Sequence, residues 1–352
     1  MIRTLSMPWI RAVCALAAAG FLAACSPDAA PPADAPDAPP ATQDAASNGD
    51  MPAGDPAPAE TAPAMDDAPA SAEAPVADPA GPSGATVAED EIAVRFAVLG
   101  DAEPKPCALF PGVEAAVLDV NALAQAGRID FVLGVGDLAH KGTEIQYENV
   151  TPALQSLTSP FYPIMGNEEH GDTVERFLEF AGQWNPEVTE ASYTLERGPV
   201  TFVMASPDFS RQFNDESIDW ILEQVRAAAP RPVFLVVHGA QVGVYAENAD
   251  KGVENPRFLE IVAEPNLAAV ISGDLHMDMD RVRHSLEIEG VHYFHIPGLE
   301  RTKIPDETNH TPMFRVFTVT NDGEVWVDTY QTGVAEPLAR HAYRFSLNGE
   351  TR

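Results

Sequence analysis

The run "FVLGVGD", residues 131–137, is apolar or glycine through residue 136 and then closes on an aspartate. A short run with no polar alternation reads as a strand buried on both faces, and Asp137 then stands just past its carboxyl end. Four other runs share this design: "IAVRFAVLGD" (92–101) ends on Asp101, "FYPIMGN" (161–167) on Asn167, "PVFLVVHG" (232–239) on His238 and its glycine, and "LAAVISGDLH" (267–276) on Asp274 and His276.

Helical patterns lie between these runs. "VEAAVLDVNALAQAG" (113–127) has Gly127 as its stop, and "IQYENVTPALQSL" (145–157) and "TVERFLEFAG" (173–182) follow. In "ESIDWILEQVRAAA" (216–229), Ile218, Ile221, Leu222 and Val225 recur at helical spacing. "ASYTLERG" (191–198) and "VTFVMAS" (200–206) are strand-like. "LEIEGVHYFHIPG" (286–298) and "FRVFTVTNDGEVWVDTYQ" (314–331) read as hairpins, the second turned by Asn321-Asp322-Gly323. Such alternation predicts an α/β layered fold with buried central strands.

In such folds the strand carboxyl ends converge on one rim, where ligands bind. That rim receives Asp101, Glu103, Asp137, Asn167, His238, Asp274 and His276. Carboxylates, an amide oxygen and imidazoles are the donors that first-row divalent metals take.

Taken in order, "GDAE" (100–103), "VGDLAHKG" (135–142), "MGNEEHG" (165–171), "VVHG" (236–239) and "SGDLH" (272–276) resemble the calcineurin-like metallophosphoesterase superfamily. Its pattern runs Asp-x-His, Gly-Asp, Gly-Asn-His-Asp/Glu, His, Gly-His-x-His. The resemblance extends over residues 93–300 and implies a four-layer α/β/β/α sandwich. It also implies two divalent metals (Mn, Fe, Zn or Mg) held by Asp101, Glu103, Asp137, Asn167, His238, Asp274 and His276, with Asp137 bridging them. The implied activity is phosphoester hydrolysis by attack of a metal-bound hydroxide on phosphorus.

Three motif histidines have become acids here: Glu103, Glu168 and Asp274. Glu168 sits at the family's catalytic position, where it could replace the histidine only as a protonated acid or could instead bind the second metal, and His170 is the neighbouring alternative for the catalytic role. Asp101, Glu103, Asp137 and Asp274, all ionised, would cancel two divalent ions and lean the shell toward Mn, Fe or Mg. Cations would then be needed to draw in a phosphate. Candidates are Arg301 and Lys303 for substrate binding, alongside Asn167, with His140 and Lys141 nearby. The alternative function is a non-catalytic module that binds metal or a phosphate ligand without turnover.

The rest of the chain bears on location. Arg3 and Arg11 stand ahead of an apolar run too short to span a bilayer, and Leu22-Ala23-Ala24-Cys25 resembles the lipobox of bacterial lipoproteins. Residues 1–24 are therefore expected to be a signal peptide and Cys25 the lipidated terminus. Residues 25–90 form an Ala-, Pro- and acid-rich spacer expected to be disordered, and residues 91–352 the folded domain. The expected location is the cell envelope, lipid-anchored, on the periplasmic or outer-membrane face. Once Cys14 leaves with the signal and Cys25 carries lipid, Cys107 is a lone thiol and no internal disulfide framework is possible. With 53 acids against 21 lysines and arginines, the net charge of −32 argues against a nucleic-acid partner. The expected partner is a small phosphoester or an envelope component.

Overall fold

A computed structural model describes residues 87–105, 108–300 and 310–347 of the chain. The signal reading, the spacer up to residue 86, Cys25, Cys107, Arg301 and Lys303 lie outside the described residues. Among those described, no helix is long and apolar enough to cross a membrane.

The first half runs β1 (Ile92–Leu99), α1 (Pro111–Gln125), β2 (Phe131–Gly134), α2 (Glu144–Gln155), β3 (Phe161–Pro163) and α3 (Val174–Trp184). The second runs β4 (Tyr193–Arg197), β5 (Val200–Ala205), α4 (Asp215–Ala228), β6 (Val233–Val237), α5 (Phe258–Val262), β7 (Leu267–Ser272), β8 (Ser285–Ile288) and β9 (Val291–His295). β10 (Met313–Thr320), β11 (Glu324–Gln331) and β12 (Tyr343–Ser346) complete the chain.

Two six-stranded sheets result, ordered β12-β11-β10-β1-β2-β3 and β4-β5-β6-β7-β9-β8. In the first, β1, β2 and β3 are parallel, while β10 pairs antiparallel with β1 and returns the C-terminal strands to the same sheet. In the second, β5, β6, β7 and β9 are parallel, with antiparallel β4 and β8 at the edges.

Side chains alternate between two apolar cores, as the two-residue period of a strand requires. Phe202, Met204, Phe234 and Val236 face the core shared with the first sheet, while Val203, Leu235 and Val237 face the one beneath α4 and α5. The sheets meet through aromatic rings: Phe96 lies edge-on to Phe202 at 4.9 Å and Phe294 edge-on to Phe317 at 5.1 Å, both preferred geometries. Val113, Val117 and Val120 of α1 and Phe177 and Phe180 of α3 join the shared core from the far side of the first sheet. Ile218, Ile221, Leu222 and Val225 of α4, the predicted stripe, seal the second. The fold is therefore the four-layer α/β/β/α sandwich.

Helix ends follow local chemistry. Thr173 accepts a hydrogen bond from the Arg176 N–H to cap α3, and Asn214 does the same for the Ser217 N–H at α4. β8 and β9 turn through Glu289 and Gly290, both in the left-handed region (φ 50° and 74°) that a two-residue hairpin turn demands. The short helix α5 and the edge strand β12 were not expected from the sequence pattern.

Candidate metal centre

The carboxyl ends of β1, β2, β3, β6 and β7 carry the predicted rim residues together. Asp101, Glu103, Asp137, His238, Asp274 and His276 are almost entirely buried, and Asn167 is half-buried. Backbone bonds tie the strand ends to each other: the Ala102 N–H donates to the Asp137 carbonyl, and the Gly273 N–H to that of His238, both at 2.9 Å. Asp137, Asp274 and His276 each adopt positive φ, at 52°, 67° and 50°. Side chains other than glycine rarely sit there, and such strain gathers at functional sites.

Two donor clusters share Asp137. In the first, His276 Nε2 lies 3.7 Å from Asp101 Oδ1, 3.5 Å from Glu103 Oε1 and 3.6 Å from Asp137 Oδ2. Asp101 Oδ2, Asp137 Oδ2 and both ring nitrogens of His276 have no hydrogen-bond partner among the described residues. Buried polar atoms are almost always satisfied, so unpartnered atoms on three buried side chains that lie together mark a place for an ion. One atom each from Asp101, Asp137 and His276 falls within 4.8 Å of the others. These donors fit a divalent metal.

In the second cluster, His238 Nε2 lies 3.3 Å from Asp137 Oδ1, 3.2 Å from Asn167 Oδ1 and 3.5 Å from Asp274 Oδ1. His238 Nδ1 donates to the Val135 carbonyl at 2.8 Å, which fixes the ring and aims Nε2 inward. Burial opposes a charged imidazole, but Asp137 and Asp274 raise His238 well above its ordinary range. An ion at Nε2 would take that proton's place. Asp274 differs from Asp101 and Asp137 in being met by two cationic side chains: Lys251 Nζ is 2.7 Å from Oδ1, and Arg211 Nε is 2.8 Å from Oδ2. Burial works against its ionisation, yet His238, Lys251 and Arg211 hold it well below the usual carboxylate range.

Glu168 is likewise engaged. Its Oε1 accepts from Lys105 Nζ at 2.7 Å, and its Oε2 accepts from His140 Nδ1 at 2.7 Å and the Lys141 N–H at 3.0 Å. Burial would raise Glu168, but the Lys105 and Lys141 bonds pull it below its ordinary value. This corrects the expectation of a protonated Glu168: the group accepts hydrogen bonds, and the proton-bearing side chains beside it are His140 and Lys105. Lys105 also reaches Glu103 Oε2 at 2.9 Å. His170 is half-buried, its Nε2 donating to the Pro207 carbonyl at 2.9 Å, and burial lowers its basicity.

Sequence reasoning missed four residues: Lys105, Glu169, Arg211 and Lys251. Glu169 is fully buried and accepts four backbone N–H groups, from Asp137 and Gly166 on Oε2 and from Leu138 and Ala139 on Oε1. Burial first, then the Asp137 carboxylate, push Glu169 up to about 7, against the N–H donors that favour its ionised form. The signal was present, because the superfamily pattern places an acid after the motif histidine and Glu169 occupies that place.

Gly166 shows how tightly the loops meet. A Cβ there would lie 2.3 Å from Asp137 Oδ1 and 2.8 Å from His238 Nδ1. Gly166→Ala should therefore cost about 1–3 kcal/mol through overpacking and displace Asp137 from the centre. Urea unfolding and metal uptake of the purified variant check this. Unchanged stability and uptake would show that the loop yields freely.

The family model described as calcineurin-like phosphoesterase matches residues 94–278. A 3',5'-cyclic-nucleotide phosphodiesterase of Nostoc is 23% identical over 177 residues, 48% of this chain and 62% of that protein. A 3',5'-cyclic adenosine monophosphate phosphodiesterase of Pseudomonas aeruginosa is 23% identical over 164 residues, 46% of this chain and 59% of that one. The chain thus spans less than two thirds of the length of either relative. Among solved structures, a purple acid phosphatase from yellow lupin superposes with a TM-score of 0.54 at 12% identity, covering 72% of this chain and 53% of that one. The Plasmodium inner-membrane-complex anchor GAP50 gives 0.50 at 13% identity, with 72% and 88% covered.

Proposed function

Since the chain belongs to the calcineurin-like phosphoesterase family, we propose that it hydrolyses phosphoesters in a metal-dependent reaction, with phosphodiesters as the favoured class. The observation that carries this is the convergence of orphaned, fully buried donors from Asp101, Asp137 and His276. The family uses a dinuclear divalent centre. In this chain Asp101, Glu103, Asp137 and His276 would hold one ion, and the three carboxylates among them favour Mn, Fe or Mg over Zn. A metal bound there supplies Lewis acidity toward a phosphoryl oxygen and activates water for attack on phosphorus.

The side chains do the remaining work. Glu169 holds the loop that carries Asp137, so the carboxylate is placed before substrate arrives. Glu168 accepts from His140 Nδ1, which orients the ring and leaves Nε2 for proton exchange with a departing oxygen. Carboxylate and imidazole here form a pair in which the acid positions the base. His140 is partly exposed, as a group meeting substrate must be.

A leaving-group series tests both the reaction and the pair. The wild type should cleave alkyl and aryl diesters when loaded with Mn²⁺. His140→Ala should slow alkyl diesters by about a hundredfold or more and spare activated aryl diesters, which need no proton on departure. No hydrolysis of either class with any of Mn²⁺, Fe²⁺, Zn²⁺ or Mg²⁺ would sink the enzymatic reading. The second reading, binding without turnover, draws on the acids at positions 103, 168 and 274 and expects metal uptake with no hydrolysis.

A further inference from the structure

We propose that Arg211 and Lys251 fill the second metal position as a side-chain substitute for an ion, so that the chain binds one metal tightly rather than two. The inference rests on the metal-dependent reading above and deepens it.

Each acid that stands where the motif has histidine is met by a lysine or arginine. Glu103 and Glu168 share Lys105, at 2.9 and 2.7 Å. Asp274 has Lys251 at 2.7 Å and Arg211 at 2.8 Å. Three such pairings among three substitutions point to exchanged charge rather than a decayed site. A histidine at 274 would offer these cations neither carboxylate oxygens nor negative charge, so Asp274, Arg211 and Lys251 form one set.

The set blocks the second position specifically. Of the donors around His238 Nε2, Asp274 Oδ1 accepts from Arg211 Nη2 at 3.3 Å besides facing Lys251, and Asn167 Oδ1 accepts from Arg211 Nη2 at 3.2 Å. Lys251 Nζ also donates to the Asp274 backbone carbonyl. A divalent ion entering there would have to displace an ammonium and a guanidinium and then remain beside both, where like charges repel. At the first position one cation, Lys105, meets Glu103 Oε2, but Asp101 Oδ2, Asp137 Oδ2 and both ring nitrogens of His276 have no hydrogen-bond partner among the described residues, so three of its four side chains keep an atom open to an ion.

Arg211 and Lys251 together bring the two positive charges that a second divalent ion would have supplied. Arg211 stands on the loop between β5 and α4 and Lys251 on that between β6 and α5, with side chains 26% and 16% exposed. They are open enough to meet a ligand at the rim. A guanidinium fork suits two oxygens of a phosphoryl group, and an ammonium adds a point charge. The pair is therefore assigned to hold the phosphoryl oxygens opposite the bound metal.

Metal stoichiometry of the full chain, stripped with chelator, reloaded with Mn²⁺ and desalted, tests the assignment without reference to activity. Elemental analysis should find one Mn per chain, with an electron paramagnetic resonance spectrum free of spin coupling. The Arg211→Ala/Lys251→Ala double variant should retain a second equivalent and show a coupled signal. Asp274→His, which removes the carboxylate that gathers the cations, should do the same by an independent route. Two equivalents in the wild type would overturn the inference while leaving the metal-dependent reading intact. So would one equivalent in wild type and in both variants. No retained metal in the wild type would overturn the metal-dependent reading and this inference with it.

Discussion

Glu169→Ala is expected to destabilise the folded chain by about 4 kcal/mol and to abolish metal uptake. The side chain is fully buried and accepts from the backbone N–H groups of Asp137, Leu138, Ala139 and Gly166 at 2.6–2.9 Å. Its removal strands four donors out of reach of water, and each buried donor left without an acceptor costs roughly 1–3 kcal/mol. Partial collapse of the loops and entry of water would keep the total near the lower end of the sum. Glu169→Gln should be intermediate, since its amide NH₂ turns two donors toward two others while its oxygen still serves the remaining pair. Urea unfolding of the three proteins orders them wild type, Gln, Ala. A loss below about 1 kcal/mol for Glu169→Ala would show that the loop is fixed by other contacts.

Asp137→Asn should have the opposite profile, with activity lost and stability kept. Asn tolerates the left-handed backbone that Asp137 adopts at φ 52°, so the turn survives the change. The carboxylate faces both donor clusters, through Oδ2 to His276 Nε2 at 3.6 Å and through Oδ1 to His238 Nε2 at 3.3 Å. It also lies beside Glu169 and raises that group's affinity for its proton, a like-charge contact that Asn relieves. We expect unfolding free energy within about 1 kcal/mol of wild type and kcat/KM lower by about a thousandfold. Retention of more than a tenth of the wild-type kcat/KM would remove Asp137 from the centre.

Much of this architecture was legible in the sequence because both sheets have parallel, doubly buried strands. Runs such as Phe131–Gly134 and Val233–Val237 carry no polar alternation to confuse the reading. The Asn321-Asp322-Gly323 turn was visible for a local reason too, with Gly323 at φ 90°. β12 was not, since Tyr343–Ser346 has only four residues and, as the edge strand, pairs with β11 alone among the described strands. Nor was the assignment of the last strands to the first sheet, because pairing of β10 with β1 joins segments more than two hundred residues apart.

At the site, strand ends announced the ligands but not their partners. Lys105 lies 63 residues from Glu168, and Arg211 lies 63 from Asp274, so no periodicity connects them. His140 was noted as one of several cations, yet its bond to Glu168 depends on how two loops fold against each other. Reading Glu168 in isolation suggested a protonated acid, whereas the lysine two residues beyond Glu103 makes it an acceptor.

The most direct measurement titrates Mn²⁺ into the chelator-stripped full chain while recording hydrolysis of bis(p-nitrophenyl) phosphate. The account predicts no turnover without metal, activity rising in step with the first equivalent bound, and no such rise in the Asp101→Ala/His276→Ala variant. Full activity in the stripped protein, or an unaltered titration in that variant, would contradict it.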